Sequence, residues 1–305
     1  MAFSVGVDLG GTKIAGALVD EDLNLLAFRK IPVDPERKIE KVLGDIAELS
    51  QGLLDEGKAL GECAGVGLAI PGILDLKKGM LIFSENLNWR NVPIISLLKE
   101  ELPVPLFMEH DVRSGTLAEV FFGQGRSLQD FIYISVGTGI AGSLVWQRQV
   151  IRGAHGTSAE VGHIIVAPGG PLCRCGNAGC LEALASGVAI ERDAFHLTGK
   201  PVKGEVVFEN ARAGVSPYLE IVHRAAHFLG LGLFNLTQIF DPEAILIGGG
   251  IAETGNWWLE IIKENYQKHL LDSQAIPEVI LGRFRSKASV MGAAAIPFLK
   301  KEGYL

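Results

Sequence analysis

The sequence predicts an α/β protein with two domains, a duplicated core and a cleft between the domains. At 305 residues the chain exceeds one typical domain, and apolar strand patterns alternate with helical patterns in both halves. The hexapeptides IAGALV (residues 14–19) and IAGSLV (residues 140–145) differ at one position. Each follows an apolar strand and a glycine turn, so the repeat indicates two halves of similar build, with a chance match of short hairpins as the alternative.

In the first half, apolar runs of strand length and amphipathic runs of helix length alternate. We predict strands at residues 5–8, 14–19, 65–70 and 104–108, a hairpin through residues 77–79, and helices at residues 38–57 and 114–122.

In the second half, we predict strands at residues 131–136, 140–145 and 244–247, and helices at residues 216–240 and 289–299. Ser216 and Pro217 are typical of a helix start, with Ser216 as the cap and proline at the first helical position. Asp241 and Pro242 are expected to end that helix.

The composition is that of a soluble globular enzyme, with 48% hydrophobic and 21% charged residues. The net charge of −7 argues against a broad nucleic-acid surface. The N-terminus lacks a signal-peptide pattern, and the apolar stretch 131–146 is interrupted by glycines and too short to span a bilayer. We therefore expect a cytoplasmic protein with no nucleic-acid or membrane partner.

Three glycine turns each follow an apolar strand, where backbone N–H groups can approach phosphate oxygens. None fits the P-loop or the dinucleotide-binding spacing, and a tight hairpin is the plain alternative at any one of them. Asp8 precedes the first turn and either holds a hydrated Mg²⁺ or makes a local turn bond. The predicted ATP-binding residues are Asp8, Gly10, Gly11, Thr12, Lys13, Gly137, Thr138, Gly139, Gly248, Gly249 and Gly250.

Three of the four cysteines lie within the stretch HIIVAPGGPLCRCGNAGCLEA, residues 163–183. His163, Cys173, Cys175 and Cys180 together form the spacing H-x9-C-x-C-x4-C. Four ligands of this softness with no open position predict a structural Zn²⁺ site.

Two acidic residues flank this loop, and a third acidic residue follows an earlier strand. Glu160 and Glu182 are placed to hold a polyhydroxylated ligand through bidentate hydrogen bonds. Asp111 could accept the proton of a hydroxyl that attacks a γ-phosphate, or it could cap the helix expected near Ser114.

These motifs resemble those of the ROK family of repressors, open reading frames and sugar kinases, which has the two-lobed actin-like ATPase (ribonuclease H-like) fold. DLGGTK and SVGTGIAG look like its two phosphate motifs, residues 240–250 are similar to its adenosine-side strand and turn, and EVGH with CRCGNAGCLE matches its signature. The resemblance implies a smaller lobe of residues 1–115, completed by a C-terminal helix at about 290–305, and a larger lobe of residues 116–289 with the zinc loop at 163–182.

The resemblance also implies a function and a site. It implies ATP-dependent phosphorylation of a hexose, with ATP, Mg²⁺ and structural Zn²⁺ as cofactors, Asp111 as the base, and a homodimer. The sugar would contact Gly72, Glu85, His110, Asp111, Glu160, His163 and Glu182, and His163 would use its other ring nitrogen for zinc.

The chain departs from the family pattern at a few positions. His110 and Arg113 stand where the family usually has asparagine, Glu85 adds an acceptor, and Ala159 replaces a common glycine. An imidazole cannot donate and accept as an amide does, so the sequence leaves the sugar open, as it does the use of polyphosphate. A non-catalytic sugar sensor is the rival; a repressor is not expected, because only seven residues precede Asp8.

Overall fold

The computed structural model describes residues 2–271 and 275–304. The chain forms two compact units. The first comprises Met1–Arg126, Arg152–Thr157 and Lys287–Leu305, and the second comprises Ser127–Ile151 and Ser158–Ser286. We predicted a boundary at residues 115/116, but that position lies inside a helix, and the first unit continues to Arg126.

The first unit is built on a five-stranded sheet and a smaller three-stranded sheet. Its elements are β1 (Ala2–Leu9), β2 (Lys13–Asp20), β3 (Leu25–Pro32), α1 (Ile39–Gly57), β4 (Glu62–Ile70), β5 (Ile73–Asp75), β6 (Met80–Ser84), β7 (Trp89–Val92), α2 (Ile94–Leu98), β8 (Leu106–His110) and α3 (Asp111–Phe122). The strand orders are β3-β2-β1-β4-β8 and β5-β6-β7.

The second unit is built on another five-stranded sheet with the order β11-β10-β9-β12-β13. Its elements are β9 (Phe131–Val136), β10 (Ile140–Trp146), β11 (Gln149–Ile151), α4 (Leu181–Ala185), α5 (Gly187–Thr198), α6 (Gly204–Arg212), α7 (Ser216–Phe240), β12 (Ala244–Gly248), α8 (Asn256–Gln267) and β13 (Glu278–Leu281).

The two five-stranded sheets have the same topology, which confirms the duplication expected from the hexapeptide repeat. In each, the first strand pairs antiparallel with the second, and the second leads antiparallel into the third. In each, the first strand also pairs parallel with the fourth, and the fourth with the fifth. The carboxyl ends of three parallel strands therefore meet at one edge of each sheet, where ligands bind in α/β proteins.

The last helix, α9 (Ala288–Lys301), returns to the first unit and packs on β1, β4 and α3. Helices α9 and α3 pack so closely that their main chains are in contact, because a Cβ on Gly292 would overlap the carbonyl of Ser114. Two side-chain hydrogen bonds also hold α9 against the first unit. The hydroxyl of Ser4 donates to Ala294 O at 2.5 Å, and the hydroxyl of Ser114 donates to Ser289 O at 2.9 Å.

Each unit has its own apolar core. The first is centred on α1 and the larger sheet, with Phe3, Ile46 and Leu68 almost fully buried. The second is centred on α7, α8 and the other sheet, and it includes Trp258 and Tyr266.

Three local predictions differ from the structure. Helix α3 begins at Asp111 instead of near Ser114, and β8 lies two residues later than predicted. Ser216 is the first residue of α7 and not its cap; its hydroxyl donates to Glu220 Oε1 at 2.8 Å instead. Among the helices of the described residues, none is both long and apolar enough to cross a bilayer.

Candidate functional site

Asp8 and Asp111 lie at the same edge of the first unit's large sheet. Strands β1, β4 and β8 are parallel neighbours, and the register pairs Asp8 with Ala69 and Ala69 with Glu109. Asp111 follows two residues after Glu109. The sheet order therefore brings together two carboxylates that are 103 positions apart in the sequence.

Burial and charge both act on Asp8. The pKa of Asp8 is raised from 3.8 to about 7, mainly by burial at the end of β1 and to a lesser extent by the Asp111 carboxylate, while the Lys30 ammonium opposes both. A divalent cation at this edge would favour the ionised form of Asp8.

Asp111 is the first residue of α3, and its side chain is 35% exposed. Its Oδ1 accepts a hydrogen bond of 2.7 Å from the next amide, that of Val112, so the side chain does not cap the helix in the usual way. His110 Nδ1 lies 3.1 Å from the same oxygen but is buried without a hydrogen bond of good geometry.

The sequence reasoning missed a buried ion pair beside this turn. Glu109 is 3% exposed and accepts hydrogen bonds from Arg152 Nε at 3.2 Å and Nη2 at 2.5 Å. Arg113, also buried, donates to the carbonyl of Gly156 and lies 3.8 Å from Glu109. Buried acids are rarely left unpaired. The apolar residues around Glu109 in the sequence were therefore the one available sign that this acid would have a cationic partner.

The first glycine turn, between β1 and β2, is closed by a hydrogen bond from Gly10 N–H to Lys13 O at 2.9 Å. Thr12 and Lys13 are exposed, and a Cβ on Gly11 would meet no atom within 4 Å. The turn therefore presents open backbone to a ligand.

Gly72 and Glu85 lie together at one end of the three-stranded sheet. Ile73 pairs with Phe83, which places Gly72 against Ser84 and next to Glu85. Gly72 has φ of +121°, a conformation that favours glycine. The Glu85 side chain is exposed.

The second and third glycine turns meet in the second unit. Strands β9 and β12 are parallel neighbours, and Gly250 N lies 3.6 Å from the Cβ position of Gly137. Gly249 has φ of +81°, and a side chain there would overlap Val136. Two stretches of backbone more than 100 residues apart thus form one surface.

Glu182 lies against the second turn. Its Oε2 accepts a hydrogen bond of 2.9 Å from Ile140 N–H, and a Cβ on Gly139 would overlap that oxygen. Glu182, which is predicted to bind the sugar, therefore also supports the glycine turn that is predicted to bind phosphate.

His163 ends a 3-10 turn, Val161–His163, that packs against β10, and Glu160 immediately precedes this turn. A Cβ on Gly162 would overlap Ile140 O, so glycine allows this approach. Both side chains are exposed. Ala159, just before them, has φ of +63°, which explains why glycine suits that position.

The four predicted zinc ligands converge. Their donor atoms all lie within 4.8 Å of one another. Cys173 Sγ is 3.6 Å from His163 Nδ1, and Cys175 Sγ is 3.6 Å from Cys180 Sγ. Donors at the usual Zn–S and Zn–N distances of about 2.3 and 2.0 Å in a tetrahedron lie roughly 3.5 to 3.8 Å apart, so these residues fit the ion.

The three thiols also affect one another. The backbone N–H of Asn177 is the main cause that lowers the pKa of Cys175 to about 7, whereas burial is the main cause that raises the pKa of Cys180 to about 12. Burial also raises the pKa of Cys173. A cation would draw all three into the thiolate form and release protons.

The predicted site residues are divided between the units. Asp8, the first glycine turn, Gly72, Glu85, His110 and Asp111 belong to the first; the other two turns, Glu160, Glu182 and the metal cluster belong to the second.

The sequence matches the family model described as ROK family over residues 4–299. A glucokinase from Thermotoga maritima is 33% identical to this chain, and the match covers 96% of both chains. A xylose repressor from Caldicellulosiruptor bescii is 28% identical, with 96% of this chain matching 77% of the repressor.

Solved structures give a consistent result. A ROK hexokinase from Thermus thermophilus is 35% identical, with a TM-score of 0.82 over 98% of this chain and 99% of the other. A ROK family glucokinase from Streptomyces griseus, in complex with glucose and AMPPNP, is 30% identical, with a TM-score of 0.87 over 96% and 98%.

Proposed function

This chain belongs to the ROK family, and on that premise we propose that it is an ATP-dependent hexose kinase that phosphorylates its sugar at the 6-hydroxyl. The candidate hexoses are glucose, mannose, N-acetylmannosamine, N-acetylglucosamine and fructose. The similar glucokinase complex with glucose and AMPPNP supports both substrate classes.

One observation carries the proposal: two carboxylates, Asp8 and Asp111, stand at one sheet edge beside an open glycine turn. Phosphoryl transfer needs a base for the attacking hydroxyl and a means of neutralising phosphate charge. Asp111, partly exposed at the start of α3, fills the first role. Asp8 would fill the second by holding a hydrated Mg²⁺.

The chemistry at Asp111 is a proton transfer coupled to displacement. As the sugar oxygen bonds to the γ-phosphorus, the bond to the β–γ bridging oxygen breaks and its electron pair leaves with ADP. The hydroxyl proton passes to the Asp111 carboxylate. When bound, Mg²⁺ neutralises phosphate charge.

The glycine turns take the nucleotide. In this proposal Gly10–Lys13, Gly137–Gly139 and Gly248–Gly250 present backbone to the ATP phosphates and the adenosine side. The adjacency of the second and third turns supports this assignment.

Of the residues proposed to bind the sugar, Glu160, His163 and Glu182 belong to the second unit, and Gly72, Glu85, His110 and Asp111 belong to the first. When bound, zinc supplies a fixed framework for the loop. Nδ1 of His163 faces the thiols, which leaves Nε2 for a sugar hydroxyl.

Substitution of the base tests the proposal. Asp111→Asn keeps the side-chain shape but removes the proton acceptor, so we expect turnover to fall roughly 10²- to 10⁴-fold, about 3 to 5 kcal/mol of barrier, with sugar affinity nearly unchanged. ADP release is measured with ATP, Mg²⁺ and the hexose panel. Asp22→Asn, an exposed acid between β2 and β3, is the matched control; full turnover in Asp111→Asn would remove the base assignment.

A second candidate is a sugar sensor without catalysis, which the likeness to a xylose repressor supports. The same panel separates the two. Sugar binding by calorimetry without ADP release from any hexose would favour the sensor.

We also propose that the protein is cytoplasmic and a homodimer, the latter testable by sedimentation. Replacing ATP with polyphosphate in the same assay would reveal whether polyphosphate is a phosphoryl donor.

A further inference from the structure

The first unit contains a cavity of about 330 Å³ that none of the roles proposed above uses. It opens between the β5–β6 turn, α2, β8 and α9. Its lining comprises Leu76, Lys77, Lys78, Gly79, Ile95, Ser96, Lys99, Leu106, Phe107, Met108, Glu109, Arg152, Ile296 and Lys300. Small-molecule sites typically have about 300 to 1,000 Å³, so the volume suits a small ligand.

The lining is strongly cationic in a chain whose net charge is −7. Five of the residues that line it are cationic, namely Lys77, Lys78, Lys99, Arg152 and Lys300, and one is acidic. That acid, Glu109, already accepts hydrogen bonds from Arg152 and from His110 N–H. Lys78 pairs with Asp75 at 3.2 Å, but within residues 2–271 and 275–304 no salt bridge holds the ammonium group of Lys77, Lys99 or Lys300.

Backbone contacts join the elements that carry these cationic residues. Ile95 N–H donates to Gly79 O at 3.1 Å, which ties the lysine-bearing hairpin turn to the start of α2. Lys99 follows the last turn of α2, where its N–H donates to Ile95 O, and Lys300 comes from the end of α9. Cations held near one another without acids raise the local potential and favour a multiply charged anion.

Part of the lining is apolar. Leu106, Met108 and Ile296 are buried, and they exclude water from one side of the cavity. An ion pair formed beside such a surface is screened less than one on an open surface. The cavity can therefore hold an anion together with a small organic group.

We propose that this cavity binds a small phosphate dianion, either free orthophosphate or a phosphate monoester. A tetrahedral dianion presents oxygens to ammonium groups from several directions and to a guanidinium in bidentate fashion. The volume and the apolar floor leave room for the organic group of a monoester.

Arg152 connects this cavity to the turn that carries Asp111. The guanidinium that would bind the anion is the one that neutralises Glu109, and Glu109 is followed directly by His110 and Asp111. An anion at Arg152 competes with Glu109 for the same hydrogen-bond donors. Occupancy would therefore alter the position of Asp111 and lower turnover; this last step depends on the proposed kinase function.

Calorimetry tests the binding. Orthophosphate, glucose 6-phosphate and, as the uncharged comparison, glucose are titrated into the full chain, with Mg²⁺·AMPPNP and glucose already present at saturation. We expect one saturable phosphate site per chain. Lys99→Ala/Lys300→Ala should weaken it about five- to thirty-fold, since two exposed cations each contribute about 0.5 to 1 kcal/mol.

Lys301→Ala is the matched control, because Lys301 adjoins Lys300 but pairs with Glu62 at 3.6 Å. Its affinity should stay within about two-fold of the unsubstituted chain. Tighter binding of glucose 6-phosphate than of orthophosphate identifies the monoester as the ligand, and equal binding identifies free phosphate. No saturable binding, or equal affinity in the double variant and the unsubstituted chain, overturns the site.

The link to Asp111 has a separate readout. With hexose and ATP saturating, the phosphate compound should lower kcat in the unsubstituted chain and have little effect in Lys99→Ala/Lys300→Ala. Equal inhibition in both overturns the link. The calorimetric titration does not depend on turnover. If the chain proved to have no kinase activity, the proposed function would be refuted, but the titration would still decide whether the cavity binds phosphate.

Discussion

The carboxyl of Asp8 should make the protein less stable as the pH rises, and Asp8→Asn should remove that effect. The folded chain holds the pKa of Asp8 at about 7, against 3.8 for the free side chain, mainly through burial. Because the folded state then binds more protons at Asp8 than the unfolded state, the contribution of Asp8 to stability is greatest below about pH 4 and is lost as the pH rises to about 7.

The size of the effect follows from the shift. About three pKa units at 1.36 kcal/mol each gives about 4 kcal/mol as an upper limit. The Asp8 side chain is only half-buried, and water screens part of the penalty. We therefore expect Asp8→Asn to be about 2 kcal/mol more stable than the unsubstituted chain at pH 8 and only about 1 kcal/mol more stable at pH 4.5.

Urea unfolding of both proteins at the two pH values, without Mg²⁺ and at equal ionic strength, measures the difference. Comparison at each pH cancels the titration of the zinc ligands, which both proteins share. Asp22→Asn, an exposed acid in the β2–β3 turn, serves as the control and should show no pH-dependent gain. A gain in Asp8→Asn that is the same at both pH values would refute the reasoning.

Three further changes have defined outcomes. Elemental analysis should find about one zinc per chain, and chelation should lower Tm and abolish sugar binding before nucleotide binding; a zinc-free chain that binds sugar normally would contradict this. Ala159→Gly should raise the free energy of unfolding by about 1 kcal/mol, because Ala159 has φ of +63°, and unchanged denaturation midpoints would count against it. Gly292→Ala should cost about 3 kcal/mol or more, since the new methyl group would overlap the Ser114 carbonyl, whereas Gly44→Ala, which meets no atom within 4 Å, should be tolerated in a thermal melt.

Local sequence was sufficient for much of the fold. The predicted range 131–136 matches β9 at both ends, and residues 216–240 match α7. These segments have strong apolar periodicity, which depends only on neighbouring residues. The four metal ligands were also identified from a single short segment, and their side chains do converge.

The end of β8 and the start of α3 were harder to predict. Val104 was placed in the strand, and the helix was expected near Ser114, three residues after its observed start at Asp111. The parallel pairing of β8 with β4 fixes where the strand ends. That pairing involves residues about 40 positions away, which a local pattern does not reveal.

The sequence by itself determined the repeated strand–turn–strand units and the metal-binding segment, because each is encoded by contiguous residues. Only the tertiary structure decided that Asp8 lies near Asp111 and that Glu109 pairs with Arg152. These contacts join residues far apart in the chain, so they depend on strand order and helix packing, which are set by burial across the whole unit and not by any one segment.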